Sequence, residues 1–227
     1  MITTARSVLA IFAHPDDETL SAGGALAKLT RSGAKVSIGI AATGLTARDP
    51  SADAEAIAAL QDQTRAAAAR LGAPADQVHF GGFPDNRMDS VPLIEVNRWV
   101  EDLCAQVEPD FILTHHARCT NIDHRICFEA CTVASRPTPG RRIALASAET
   151  PSSTGYLRPT QFEPSLYVEL SEADLDAKCE ALACYRSEAM RYPHPRSPDY
   201  LRALAAMRGG EIGCERAEAF MLIRGFS

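Results

Sequence analysis

Apolar residues in this chain fall into short continuous runs separated by stretches of helical spacing. Val8 to Phe12 (VLAIF) is an unbroken apolar run of strand length. Leu20 to Arg31 follows with helical spacing and ends at Gly33, a helix stop. Lys35 to Ala41 predicts a second strand, Asp53 to Leu71 an Ala-rich helix stopped by Gly72, and Gln77 to Gly81 a third strand. Leu93 to Val107 reads as a helix and Phe111 to Thr114 as a fourth strand. A further helix is expected from about Asp123 to Ser135.

After the breaker cluster Arg136 to Gly140 (RPTPG) come strand candidates at Ile143 to Ala148 and Leu166 to Leu170. Ser171 to Met190 predicts a helix with Ser171 as its N-cap. Arg191 to Pro198 is a proline-dense loop, and a helix from Asp199 to Arg208 and a strand near Ala219 to Ile223 close the chain. Strands written as apolar runs rather than alternations are buried on both faces. Interleaved with helices, they predict an α/β fold with a mostly parallel sheet and helices on both sides. No repeat or long linker divides residues 1–227, which read as a single domain.

Composition narrows the function. The 227 residues are 46% hydrophobic and 23% charged, with a net charge of −6. An acidic chain without a Lys/Arg run is a poor nucleic-acid binder, and no apolar run approaches the ~20 residues that span a bilayer. The start, MITTAR, lacks the basic region and long apolar stretch of a signal peptide, so the chain reads as unprocessed and cytoplasmic. Seven cysteines, with no C-x-x-C among them, fit reduced, mostly buried thiols. A homo-oligomer is compatible with this composition.

Two clusters carry chemistry. His14-Pro15-Asp16-Asp17-Glu18 follows the first strand, at the carboxyl end where ligands of open α/β sheets sit. Three carboxylates and an imidazole within five residues put like charges side by side, which raises the carboxylate pKa values unless a cation binds there. His14 and Asp17 can both ligate one borderline ion, while Asp16, pointing elsewhere, is free to act on a water held by that ion. A capped helix start would account for the aspartates alone. Thr120 to Arg125 follows the fourth strand and supplies His124 as a third candidate ligand. Two histidines, one carboxylate and an open fourth position make a catalytic zinc set. Asp123 could orient a neighbouring side chain, and Asn121 could donate to an oxyanion or simply cap the helix. One of His115 and His116, at the strand end, is expected to face the pocket, and Cys119 lies nearby.

Together, A-H-P-D-D-E at Ala13 to Glu18 and N-x-D-H at Asn121 to His124 resemble the LmbE-like, or PIG-L, family of zinc-dependent N-acetylglucosaminyl deacetylases. Gly44, Phe83-Pro84-Asp85, Ala181-Leu182 with Tyr185-Arg186-Ser187, and Ala217 to Phe220 extend the likeness over essentially the whole chain. The resemblance implies a three-layer Rossmann-like fold and removal of an acetyl group from a 2-acetamido sugar or glycoconjugate. It implies that His14, Asp17 and His124 hold Zn²⁺, with Fe²⁺ and Co²⁺ also suited to such a site. It matches Asp16 to the general base, Asp123 to the acidic residue behind the ligands, Asp85 to an acid that holds sugar hydroxyls, and Arg48 to a substrate-binding arginine. Many members have H-P-D-H where this chain has Asn121 to His124. The missing first histidine leaves oxyanion stabilisation to the Asn121 amide or to another group, for which His194 is the candidate. Substrates in the family range from antibiotic and thiol-cofactor precursors to chitin fragments, cell-surface sugars and phosphatidylinositol-linked glucosamine.

Two rival readings remain. Gly23-Gly24 after the first strand suits a nucleotide-binding module, but neither G-x-G-x-x-G nor a P-loop lysine is present. A related zinc amidase or esterase acting on a different acyl or thiol conjugate would use the same residues.

Overall fold

The computed structural model describes residues 2–47, 49, 51–156 and 162–226. The elements run β1 (Ser7–Phe12), α1 (Asp17–Arg31), β2 (Lys35–Ala42), α2 (Ala54–Arg70), β3 (Val78–Phe83), α3 (Leu93–Val107) and β4 (Phe111–His115). They continue with α4 (Ile122–Ala134), β5 (Ala144–Ala148), β6 (Leu166–Glu169), α5 (Glu172–Cys184), α6 (Pro198–Gly210) and β7 (Ala217–Arg224). Among the described residues the strands form one sheet in the order β3-β2-β1-β4-β5-β7-β6. The first five are parallel, with Val8 opposite both Val36 and Phe111. β7 runs antiparallel to both β5 and β6. This is the α/β, Rossmann-like arrangement expected.

The continuous apolar run of β1 is explained by its two buried faces. Val8, Ala10 and Phe12 join a core with Leu26 of α1, Leu60 of α2 and Ala181 of α5. Leu9 and Ile11 join a second core with Val100 of α3 and Cys127 of α4. At about 25 cal/mol per Å² of buried apolar surface, these two layers are the main stabilising term. Helix ends follow local chemistry. Asp53 caps α2 by accepting from the Ala56 N–H at 2.9 Å, and Gly72 takes the left-handed φ of 82° beyond its end. No helix among the described residues is long and apolar enough to cross a membrane.

The helix predicted over Ser171 to Met190 is shorter than expected and ends at Cys184. Tyr185 leaves helical geometry and buries its ring, donating its hydroxyl to Glu18 Oε1 at 2.6 Å. Burying a tyrosine with its hydroxyl satisfied outweighs helix propensities of tenths of a kcal/mol per residue. The following turn, in which the Glu188 and Ala189 amides donate to the Tyr185 carbonyl, carries Glu188 inward.

Candidate active site

β1 is followed in the chain by its neighbour on one side, β2, whereas its neighbour on the other side is β4. The crevice outside the carboxyl ends of β1 and β4 is therefore the switch point where ligands of such sheets bind. His14 leaves β1 into this crevice, and Asp16 adopts φ 102°, a left-handed value costly for a residue with a side chain. That twist separates adjacent carboxylates. Asp17 turns toward the histidines, while Asp16 Oδ2 faces the Arg196 guanidinium, 3.4 Å from Nε. Asp16 stands at the N-cap position of α1 without capping it through its side chain, while Asp17 lies in the first turn, where the helix dipole favours a carboxylate. Gly44 is required beside this turn: its φ is 82°, and a Cβ there would lie 2.5 Å from Pro15 Cδ.

The two clusters, more than a hundred residues apart in sequence, meet at three atoms. His14 Nδ1 lies 3.1 Å from Asp17 Oδ2, His124 Nε2 lies 3.1 Å from the same oxygen, and the two ring nitrogens are 3.3 Å apart. Donors about 2.1 Å from one tetrahedral ion are roughly 3.4 Å from each other, so this triangle fits a single zinc-sized cation. Behind it, His14 Nε2 donates to Asp123 Oδ2 at 3.0 Å and lies 3.2 Å from Asp85 Oδ1. The Asn86 and Met88 amides hold Asp123 at 2.7 and 3.0 Å. A carboxylate behind a ligand histidine sets its tautomer and ring angle.

Burial and charge set the electrostatics. Burial opposes protonation of His14, but its bonds to Asp123 and Asp17 and the charge of Asp85 outweigh it and raise the pKa to about 10. Burial likewise opposes protonation of His124, and Asp17 and Cys119 raise it to about 9. Burial opposes the Asp17 charge, but the charge of His124 and its hydrogen bond outweigh it and hold the Asp17 carboxyl well below the usual range. Asp16 is shifted the other way, well up, by burial and by the Asp17 charge, against the pull of Arg196. Burial also lifts Glu18 to about 6, against bonds from Thr19 and Tyr185.

Of the two histidines closing β4, His115 faces the site. Its ring stacks on His124 with centroids 3.6 Å apart. Its Nε2 accepts the Ala13 N–H at 2.8 Å, which makes it a supporting wall rather than a ligand. Burial and the charge of His124 hold its pKa down to about 3. His116 packs edge-on against Phe162, away from the triangle.

Asn121 is the N-cap of α4, accepting the Asp123 N–H at 2.8 Å and donating to Asn86 Oδ1 at 2.7 Å. Asp85 is buried, with Oδ1 accepting from Asn86 at 2.9 Å and Oδ2 from the Ala47 N–H at 3.1 Å. His194 reaches the cavity from the proline-dense loop, and its Nδ1 accepts the Arg196 N–H at 3.1 Å. Arg48 lies outside the described residues. The cavity holds about 420 Å³. Its described lining also includes Ser153, Glu188 and Arg196, none of which the sequence reading singled out. Arg196 pairs with both Glu188 and Asp16. Arg196 sits two residues from His194 in the same loop, a proximity that could have flagged it; Glu188 is brought in only by the turn after α5.

Comparison with known proteins fits this geometry. The PIG-L family, described as GlcNAc-PI de-N-acetylase, matches residues 9–135. The uncharacterized deacetylase YaiS of Escherichia coli K12 is 27% identical over 187 residues, covering 80% of this chain and 91% of that protein. The fold is shared with N,N'-diacetylchitobiose deacetylase from Pyrococcus horikoshii, at a TM-score of 0.77 and 20% identity over 98% of this chain and 85% of that one. It is shared equally with GalB, the 4-carboxy-2-hydroxymuconate hydratase of Pseudomonas putida KT2440, at 0.74 and 20% identity over 98% of both chains. The switch-point site, its donor triangle and the matched segment together place this chain in the PIG-L family as an enzyme of the N-deacetylase type.

Proposed function

We propose that this protein is a zinc-dependent hydrolase that removes the N-acetyl group from a 2-acetamido sugar or sugar conjugate, giving the free amine and acetate. The observation that carries the reading is the triangle of His14 Nδ1, Asp17 Oδ2 and His124 Nε2 with the Asp16 carboxylate beside it. The chemistry supplied by a bound zinc ion is Lewis acidity, which lowers the pKa of water from about 15.7 toward ~7. Asp16 takes the proton of the attacking water, kept in place by Arg196 and Glu188. Asp123 holds His14 in its ligand tautomer. His194, whose Nδ1 is committed to the Arg196 amide, keeps its Nε2 proton to donate to the oxyanion. Asp16 then returns the proton to the leaving nitrogen.

The substrate class is supported by the lining. Among the described residues it is polar and charged, with Pro15 and Gly44 its only apolar members, which suits a small acetyl group on a polyhydroxyl body. The Pyrococcus relative is named for deacetylation of such a sugar. Asp85 supports the loop at Ala47 and His14, and its oxygens retain lone pairs for a sugar hydroxyl.

The test is release of acetate and free amine from N-acetylglucosamine and diacetylchitobiose by the zinc-loaded protein, with the Asp16→Asn variant alongside. Wild type should turn over. The variant should keep its zinc and lose about 10²–10⁴-fold in kcat, the usual contribution of a general base. Hydrolysis confined to other amides or esters would move the assignment to a different acyl conjugate. An Asp16→Asn variant with wild-type kcat would remove Asp16 from the reaction.

A further inference from the structure

His124 presents Nε2 to the donor triangle and Nδ1 to the opposite side. On that side stand a sulfur and a hydroxyl, Cys119 Sγ at 3.1 Å and Ser153 Oγ at 3.4 Å. A ligand imidazole gives a lone pair from one nitrogen and carries its proton on the other, and the partner of that proton decides tautomer and ring angle. His14 has the usual carboxylate partner, Asp123. His124 has none at Nδ1 among the described residues.

The sulfur is held for this contact. Cys119 is fully buried, its amide donates to the His116 carbonyl at 3.2 Å, and the Arg125 guanidinium donates to its carbonyl at 2.8 Å. Its thiol donates to Ser153 Oγ at 3.2 Å, and Thr154 Oγ1 donates to the sulfur at 3.8 Å. These bonds leave Sγ oriented to accept from His124. The stacked His115 ring fixes the face of His124; the Cys119 sulfur fixes its edge.

We propose that Cys119 is the positioning residue of His124, its sulfur accepting the Nδ1 proton and so aiming the Nε2 lone pair at the point shared by His14 and Asp17. The inference rests on the reading of those three residues as a metal site.

The experiment is zinc affinity of the full chain, measured by competition with a chromophoric chelator, with circular dichroism to confirm folding. The proteins are wild type, Cys119→Ala, Cys119→Val, Cys119→Ser and the control Cys127→Ala, another fully buried cysteine, in the core on α4. Loss of a residue behind a metal ligand weakens metal binding about 10–100-fold, and Cys119→Ala should fall in that range. Cys119→Val fills the space without an acceptor and should match it, standing in for Cys119→Ala should that variant not fold. Cys119→Ser keeps an acceptor in place and should recover most of the loss, whereas Cys127→Ala should bind as wild type does. Equal zinc affinity in wild type and Cys119→Ala would overturn the proposal, as would equal loss in the Ser and Ala variants or in Cys127→Ala. Those failures leave the metal site standing; a wild-type protein that binds no zinc would bring down both.

Discussion

Asn121 and His194 both face the cavity, and their hydrogen bonds separate their roles. The Asn121 carbonyl oxygen caps α4 and its amide bridges to Asn86, so its main work is local stability. His194 is exposed, with one nitrogen tied to the backbone and the other able to donate. Asn121→Ala should therefore lose about 1 kcal/mol of stability, read from the urea midpoint. His194→Ala should leave that midpoint unchanged and lower kcat by ~10²–10³-fold, the effect of removing an oxyanion donor. The opposite ranking in kcat would assign the oxyanion to Asn121. At this scale the candidate donor set was legible because His14, Asp17 and His124 stand at predicted strand ends. The pairing of Arg196 with Asp16 was not, because a solvated arginine and one that reaches back across the fold look alike in sequence.

The first turn of α5 shows how an element end ties helices together. Ser171 and Asp174 form a reciprocal capping box, and Asp174 also pairs with Arg31 at the end of α1. Burial disfavours the Asp174 charge, but Arg31 and the Ser171 hydroxyl and amide outweigh it and hold its carboxyl below 3.8. A carboxylate lowered in the folded state stabilises above its unfolded pKa, and that contribution fades as pH falls through the lowered folded value. Asp174→Asn should thus be less stable than wild type at pH 7 and equally so at pH 5. The gap in urea midpoint should narrow only below about pH 4, the region of an ordinary aspartate. A gap independent of pH would mean that shape rather than charge holds this cap. Ser171 was readable as the cap; the pairing with Arg31 depends on α1 and α5 packing side by side.

The sheet as a whole gathers buried carboxylates at one end. Asp16, Asp17, Asp85, Asp123 and Glu188 all come to the mouth of the β1–β4 crevice, and the positive groups facing them among the described residues include Arg196, His14 and His124. A divalent cation bound only by the folded chain stabilises it by about 2.7 kcal/mol at a hundred times its Kd. For a chain of this length that is a rise of roughly 5–10 °C in Tm. Thermal melts with and without Zn²⁺ should show this rise in wild type and none in the His14→Ala/His124→Ala double variant. An equal rise in both would place the ion elsewhere.

Periodicity and strand-end position sufficed for the layered α/β architecture, for nearly every element, and for placing the three candidate donors, His14, Asp17 and His124, at one end of the sheet. Burial on both faces of a strand is a local rule that a single segment expresses as an unbroken apolar run. The tertiary structure decided what depends on distant segments meeting. It joined His14 to His124, backed one with Asp123 and the other with Cys119, and ended α5 early so that Tyr185 could bury against Glu18. That turn swung Glu188 toward Arg196 and Asp16. The physical reason is that such contacts trade small local helix preferences for the larger energies of buried hydrogen bonds and paired charges, which arise only once the two sides of the crevice close on each other.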